Sequence, residues 1–132
     1  MTGIQTCALP ISIVLGAPNV MRGKSHMGWV NAAEMVGRGL CSILASDYYY
    51  PAQLIAAFRL AEQGTAPLPI AWRLISETPA KAMGLDDRGA IAVGKRADLI
   101  LVEAAANRRP RVVAVIVGGR IVHLAEPDRL VH

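Results

Sequence analysis

Asp47 is the residue whose type and position point most directly to chemistry. It follows the apolar run at residues 40–45, which is short enough to be a buried strand. Parallel-sheet enzymes carry their reactive side chains in the loops at the carboxyl ends of the strands. A carboxylate at such an end can bind a divalent metal ion or accept a proton from an attacking water. Asp47 is thus a candidate catalytic residue, with the alternative that it caps the helix beginning near Pro51.

The residues that could complete a metal site around Asp47 are scarce. The chain has three histidines, His26, His123 and His132, and no pair of them is spaced to join Asp47. A catalytic zinc-type site needs about three protein ligands. The two cysteines, Cys7 and Cys41, also lack metal-ligand spacing. Free thiols are typical of a reducing compartment, so we predict a cytoplasmic protein.

The elements before Asp47 follow a strand–helix–strand order. An apolar strand is predicted at residues 13–17, and a polar loop at residues 19–30 contains Arg22, Ser25 and His26. A helix is predicted at residues 32–38, with Asn31 as its cap and a glycine at its end. The second strand is the run at residues 40–45. This alternation predicts a parallel sheet of the α/β class.

Helices and then short strands are predicted after Asp47. The first helix begins at Pro51 and buries a stripe made of Leu54, Ile55, Phe58 and Leu60. A second helix covers residues 70–76, and a third is opened by Thr78 as cap and Pro79 at its first position, ending at Gly84. Strands are predicted at residues 90–93, 97–102, 112–117 and 120–123, with turns at residues 94–95 and 118–119.

The lengths of the apolar runs and the setting of the basic residues argue against membrane and nucleic-acid partners. Hydrophobic residues make up 53% and charged residues 18% of the chain, against about 25% charged in an average domain. This suggests a piece of a larger core, an oligomer or a membrane protein. No apolar run approaches the roughly 20 residues of a membrane span. The basic residues near Arg109 lack interleaved aromatics and indicate a solvated loop. The oligomeric state stays open.

Three segments carry a resemblance to a known family. Residues 78–85, 89–102 and 115–122 together resemble the C-terminal end of the amidohydrolase superfamily. The resemblance implies a metal-dependent TIM (β/α)8 barrel with a small β-sandwich. Residues 13–17 and 41–46 would then be barrel strands seven and eight, so that the barrel in this chain is incomplete.

The resemblance also suggests how the chain divides. We expect a non-native leader at residues 1–12, because this stretch does not resemble family sequence. Residues 13–84 would form the C-terminal portion of the barrel. Residues 85–132 would form a β-sandwich segment and a tail. The whole chain is accordingly expected to be a fragment of a longer enzyme.

The first half narrows the resemblance to one branch of the superfamily. Residues 16–23, 25–26 and 46–48 resemble the alpha-D-ribose 1-methylphosphonate 5-triphosphate diphosphatases of the carbon–phosphorus lyase pathway. This implies a hydrolase that acts on a phosphoric anhydride bond of a phosphorylated small molecule and releases pyrophosphate. It also implies that Asp47 is the metal ligand and catalytic residue, and that His26, Arg22 and Ser25 bind substrate.

The resemblance implies a divalent metal, of zinc or manganese type, in the parent enzyme. The superfamily's His-x-His pair and the ligands of strands four to six have no counterpart in this chain, so we expect the isolated chain to bind no metal and to be inactive. Lys24, Met27 and Trp29 depart from the family loop. Two alternatives stay open: another amidohydrolase, dihydroorotase-like or deacetylase-like and acting on C–N bonds, or a non-catalytic binding module.

Two further groups of residues have predicted structural roles. Asp98, beside Arg96, belongs to the sandwich pattern and is expected to be a turn or cap group. The three tyrosines at residues 48–50 are expected to pack beneath their loop, although they could also stack on a substrate.

Overall fold

The computed structural model describes residues 11–22 and 31–125. Within them the chain has an α/β fold, in which a two-stranded parallel sheet and five helices precede a three-stranded antiparallel sheet. The elements are β1 (Val14–Gly16), α1 (Ala17–Arg22), α2 (Ala32–Gly37), β2 (Ile43–Ala45), α3 (Ala52–Glu62), α4 (Leu68–Arg73), α5 (Glu77–Ala82), β3 (Leu99–Glu103), β4 (Arg111–Val117) and β5 (Arg120–Leu124). None of the helices described is long and apolar enough to cross a membrane.

The parallel pair confirms the predicted strand–helix–strand order. Strand β1 runs beside β2, with Val14 opposite Ile43 and Gly16 opposite Ala45. The Asn31 side chain accepts the Ala33 N–H at 2.9 Å and caps α2. The helix ends before Gly39, whose φ of 69° lies in the left-handed region that glycine adopts without strain.

The stretch after β1 corrects the predicted loop. Residues 17–22 form helix α1, which begins directly at the end of β1. Pro18 suggested a strand entering a loop, yet it lies in the first turn of the helix. There a missing N–H leaves no hydrogen bond unmade and the fixed φ of proline suits the helix.

The core is built largely from small side chains, and this corrects the predicted stripe of α3. The buried residues of this helix are Ala52, Ala56, Ala57 and Leu60, whereas Leu54, Ile55 and Phe58 are half-buried. Alanines one turn apart let α3 approach α1 closely, so the larger residues are displaced to the flanks. Phe58 contacts Trp72 of α4 edge-on, with ring centroids 6.2 Å apart.

The last two helices begin earlier than predicted. Helix α4 starts at Leu68 rather than residue 70, and α5 starts at Glu77 with Ser76 as its N-cap residue, so Thr78 is not the cap. The Ser76 hydroxyl donates to the Trp72 carbonyl at 2.9 Å. Pro79 is accommodated in the first turn of α5, because the backbone N–H groups of a first helical turn have no partners within the helix and the N–H that proline lacks is not needed. The predicted end at Gly84 is confirmed by its φ of 70°.

The antiparallel sheet has the order β3–β4–β5. Gly118 and Gly119, with φ of 56° and 79°, form the turn between β4 and β5, as the Gly-Gly pair predicts. The predicted strand at residues 90–93 is wrong. No strand in residues 11–22 or 31–125 pairs with this stretch, and its Ile91 and Val93 side chains are exposed. The domain boundaries given above stay predictions.

Asp98 has the structural role expected of it. Its Oδ1 accepts the Gly118 N–H and the Arg96 Nε–H, each at 2.8 Å. These bonds tie the chain entering β3 to the β4–β5 turn. The Gly118 N–H, with a smaller contribution from Arg96, holds the pKa of the Asp98 carboxyl below its ordinary value.

Candidate active site

The candidate site lies at the carboxyl ends of β1 and β2. Asp47 follows β2 by two residues, and its Oδ2 lies 3.5 Å from the position that a Cβ on Gly16 would occupy. Gly16 is the last residue of β1. The Asp47 carboxylate is therefore exposed at the end of both parallel strands, the position in which such folds hold their reactive groups.

Asp47 has an unusual backbone conformation. Its φ is 56°, and among the described residues only Asn107 shares a positive φ without being glycine. Aspartate tolerates this region better than most residues, but at some cost in energy. The alternative role as a helix cap is wrong, because the N-cap residue of α3 is Pro51 and no side chain caps this helix. Strained backbone conformations cluster at functional sites, so the positive φ supports Asp47 as a candidate site residue.

Arg22 contacts Tyr48, the residue that follows Asp47. Arg22 is the last residue of α1, and its Nη2 donates to the Tyr48 hydroxyl at 2.6 Å. The guanidinium carbon also lies 5.9 Å from the centroid of the Tyr48 ring, within cation–π range. The Tyr48 contact links the end of α1 to the loop after β2.

The tyrosines at residues 48–50 correct a prediction. Tyr48 and Tyr50 are 74% and 87% exposed, so neither packs beneath the loop. The reason is the tight turn after β2, in which the Tyr49 N–H donates to the Ser46 carbonyl at 3.2 Å. The turn presents these two rings to solvent instead of the core.

Side chains of α3 and α1 fix both ends of the site, and sequence reasoning missed them. Gln53 Nε2 donates to the Leu44 carbonyl of β2 at 2.9 Å. Arg59 Nη1 donates to the Met21 carbonyl near the end of α1. The Asn19 side chain accepts the Ala32 N–H at 3.1 Å and joins α1 to α2. The only signal in the sequence was that Gln53 and Arg59 are polar residues within a largely apolar helix.

The remaining predicted site residues lie outside the described part of the chain. Ser25 and His26, with the off-pattern Lys24, Met27 and Trp29, fall within residues 23–30. Substrate binding by Ser25 and His26 therefore stays a prediction.

The donor set of the described residues does not fit a complete metal centre. In residues 11–22 and 31–125, no three His, Cys, Asp or Glu side chains cluster in a way that could hold a metal ion. Cys41 is unsuited as a ligand, because burial raises the pKa of its thiol and its Sγ donates to the Ile43 carbonyl at 3.3 Å. Asp47 is therefore a single candidate ligand, and its metal role stays a prediction.

Comparison with known protein families identifies the class to which this protein belongs. A profile of the amidohydrolase family matches residues 25–123. The chain belongs to the amidohydrolase family, whose members are hydrolases that generally use divalent metal ions.

Individual relatives are similar over different lengths. The chain is 46% identical over 99 residues to the alpha-D-ribose 1-methylphosphonate 5-triphosphate diphosphatase of Escherichia coli K12, covering 74% of this chain and 26% of that protein. It is 46% identical over 65 residues to an adenine deaminase of Gluconobacter oxydans, covering 49% of this chain and 11% of that protein. The chain thus spans about a quarter or less of the length of these relatives.

The chain also resembles a solved structure. It is a crystal structure of an adenine deaminase, with a TM-score of 0.48 and 19% identity, and the match covers 68% of this chain and 31% of that one.

Proposed function

We propose that this chain forms the corner around barrel strands seven and eight of a metal-dependent hydrolase. The reaction would release pyrophosphate from a sugar triphosphate such as alpha-D-ribose 1-methylphosphonate 5-triphosphate, in phosphonate breakdown in the cytoplasm. The observation that carries this proposal is the Asp47 carboxylate at the end of β1, followed in the chain by Tyr48, whose hydroxyl contacts the exposed guanidinium of Arg22. The 46% identity to the Escherichia coli diphosphatase supports the choice of reaction.

Each described residue has a chemical task in this proposal. The guanidinium of Arg22 presents planar N–H groups that match phosphate oxygens in a bidentate fork. The Asp47 carboxylate accepts a proton from the water that attacks phosphorus. The new P–O bond forms as the bond to the departing pyrophosphate breaks. Ser25 and His26 are proposed to contact the same substrate.

The metal of this enzyme would need ligands beyond those in the described part of the chain. Asp47 is the one described side chain that we assign to it. For this reason we expect the isolated chain to release no pyrophosphate from the sugar triphosphate in the presence of manganese or zinc. Sustained turnover by the isolated chain would contradict the need for additional ligands.

A second candidate is a C–N hydrolase, which the similarity to adenine deaminases favours. Adenine is uncharged and has no oxygen anion for Arg22 to bind. The exposed guanidinium at the site therefore favours the diphosphatase over the deaminase. A non-catalytic binding module is a third possibility, and it assigns no task to the strained backbone of Asp47.

Segment exchange tests the two enzyme candidates against each other. The 99-residue matching segment of the Escherichia coli diphosphatase is replaced by the corresponding residues of this chain, and the 65-residue segment of the Gluconobacter oxydans adenine deaminase is replaced likewise. We expect the first chimera to release pyrophosphate and the second to release no ammonia from adenine. A folded but inactive first chimera, together with a deaminating second one, would contradict the proposal.

A further inference from the structure

We propose that Tyr48 is a substrate-binding residue that forms, together with Arg22, a two-donor site for phosphoryl oxygens. The inference rests on the proposed function and adds a residue to it. Tyr48 was expected to pack beneath its loop, yet the structure places its hydroxyl against the Arg22 guanidinium.

The direction of the hydrogen bond leaves a donor available. Arg22 has no acceptor, so its Nη2–H must donate to the Tyr48 oxygen across the 2.6 Å contact. The phenolic hydrogen of Tyr48 is then left to point elsewhere. A second N–H of the guanidinium and the tyrosine O–H can donate to one anionic oxygen or to neighbouring oxygens of a phosphate. A hydrogen bond to a charged oxygen is stronger than one between neutral groups.

The ring of Tyr48 restricts the position of Arg22. An arginine at the end of a short helix has many rotamers, and fixing one of them costs entropy when a ligand binds. The cation–π contact at 5.9 Å and the hydroxyl contact hold the guanidinium before any substrate arrives. This preorganisation lowers the entropy cost of binding the anion.

The backbone of Asp47 accounts for how these groups come together. Tyr48 follows Asp47 directly, and the φ of 56° at Asp47 turns the chain sharply after β2. The same residue thereby lays its carboxylate beside Gly16 and leads Tyr48 to the end of α1. The conformation of this one residue therefore positions both the proton acceptor and the two hydrogen-bond donors that would bind an anion.

The chemistry of the pair defines a ligand class. One permanent cation and one neutral hydroxyl donor, both exposed, favour a multiply charged anion with terminal oxygens. A di- or triphosphate satisfies this, whereas an uncharged base does not.

The test is the binding of inorganic tripolyphosphate to the full 132-residue chain by titration calorimetry, with a chelator present to remove metal ions. The variants are Tyr48→Phe, Arg22→Lys and the double variant. Tyr50→Phe is the matched control, because Tyr50 is another exposed tyrosine of the same loop. The Arg22 Nε–H signal in the ¹H–¹⁵N correlation spectrum is followed in each titration. Far-UV circular dichroism checks that each variant is folded.

We expect Tyr48→Phe to weaken tripolyphosphate binding about ten-fold, as the loss of one hydrogen bond to a charged group predicts. Tyr50→Phe should change it by less than about two-fold, since a surface substitution away from the site has little effect. In the Arg22→Lys background, Tyr48→Phe should cost much less than it does alone, because the two residues act as a unit. The Arg22 Nε–H signal should shift on binding in the wild-type chain.

Three results would overturn the proposal. The first is Tyr48→Phe binding as tightly as wild type while Arg22→Lys weakens binding, which removes Tyr48 from the site. The second is binding unaffected by either change, which places the anion elsewhere. The third is a wild-type chain that shows no saturable binding. None of these decides the proposed reaction, which the segment exchange tests separately.

Discussion

The parallel-strand half and the antiparallel sheet of this molecule are stabilised in different ways. The first half buries nearly all of the core, including Leu44 and Leu60, and side chains such as Gln53 fix its loops to neighbouring carbonyls. The sheet buries only Val113 and Ala114 among its strand residues, and its turns and exposed ion pairs define it. Exposed groups that can do chemistry lie on the well-packed half, where a rigid core can hold them in place.

An apolar groove separates the two halves. It has a volume of about 870 Å³ and is lined by Leu54 and Trp72 from the helices, by Ile75 from the turn between α4 and α5, and by Val115 and Ile121 from the sheet. The sheet therefore contributes little buried area to the core of the first half.

The largest effect is expected in the core of the first half. Leu44→Ala removes a fully buried side chain from β2 and should lower the free energy of unfolding by about 2–5 kcal/mol. Val122→Ala in β5 removes a side chain that is 61% exposed and should cost no more than about 0.5 kcal/mol. Urea unfolding followed by circular dichroism gives both values. Equal losses of unfolding free energy in the two variants would contradict the difference in packing between the two halves.

A smaller effect is expected where α5 meets the chain leading to the sheet. A Cβ on Gly89 would lie 2.6 Å from the Ala80 Cβ and 3.0 Å from the Ser76 carbonyl oxygen. Gly89→Ala should therefore lower the free energy of unfolding by about 2–4 kcal/mol, from overpacking added to the positive φ.

Gly94→Ala is the control for this substitution. Gly94 also has a positive φ, of 84°, but a Cβ there meets nothing within 4 Å. It should cost only the backbone term of about 1–2 kcal/mol. Thermal unfolding of the two variants, compared with wild type, separates the clash from the strain. A Gly89→Ala variant as stable as Gly94→Ala would mean that α5 does not pack against residue 89.

The third effect concerns the strain at Asp47. Asp47→Gly should preserve or raise the free energy of unfolding, because glycine adopts a φ of 56° without cost. Asp47→Ala should be less stable than Asp47→Gly by about 1 kcal/mol. Urea unfolding of both variants checks this. An alanine variant as stable as the glycine variant would show that the loop relaxes and that Asp47 is not strained.

The smallest effect is a pH dependence located in the sheet. The pKa of Asp98 is lower in the folded chain than in the unfolded one, chiefly through the Gly118 N–H. The unfolded state thus binds more protons in acid, and the stability from Asp98 is present above about pH 4 and lost below it. Asp98→Asn should reduce the fall in melting temperature between pH 6 and pH 3.

Asp86→Asn is the control, because Asp86 is an exposed aspartate of the preceding loop. The pKa values of Glu77 and Asp87 are also lowered, through hydrogen bonds from Lys81 and Arg88, so the pH dependence should be reduced but not removed. If Asp98→Asn and Asp86→Asn had the same pH profile, the Asp98 contacts would not contribute to stability.

Sequence patterns predicted the parallel pair of strands and the position of Asp47 at their end. Short apolar runs bounded by glycine and proline can form few structures other than buried strands. They failed at α1, since Pro18 is compatible with both a loop and a first helical turn. They also failed at residues 90–93, because a strand forms only where a partner strand pairs with it. The contact of Tyr48 with Arg22 joins residues 26 positions apart. No local pattern encodes such a contact.

The most direct test of the account is Asp47→Asn in the Escherichia coli diphosphatase chimera that carries this chain's segment. Asparagine keeps the shape and tolerates the positive φ, but it cannot accept a proton as a carboxylate does. We predict that kcat for pyrophosphate release falls by about 10²–10⁴-fold, with circular dichroism unchanged. A Tyr50→Phe chimera should keep its full rate. An Asp47→Asn chimera that retained the rate of its parent would contradict a catalytic role for this edge of the sheet.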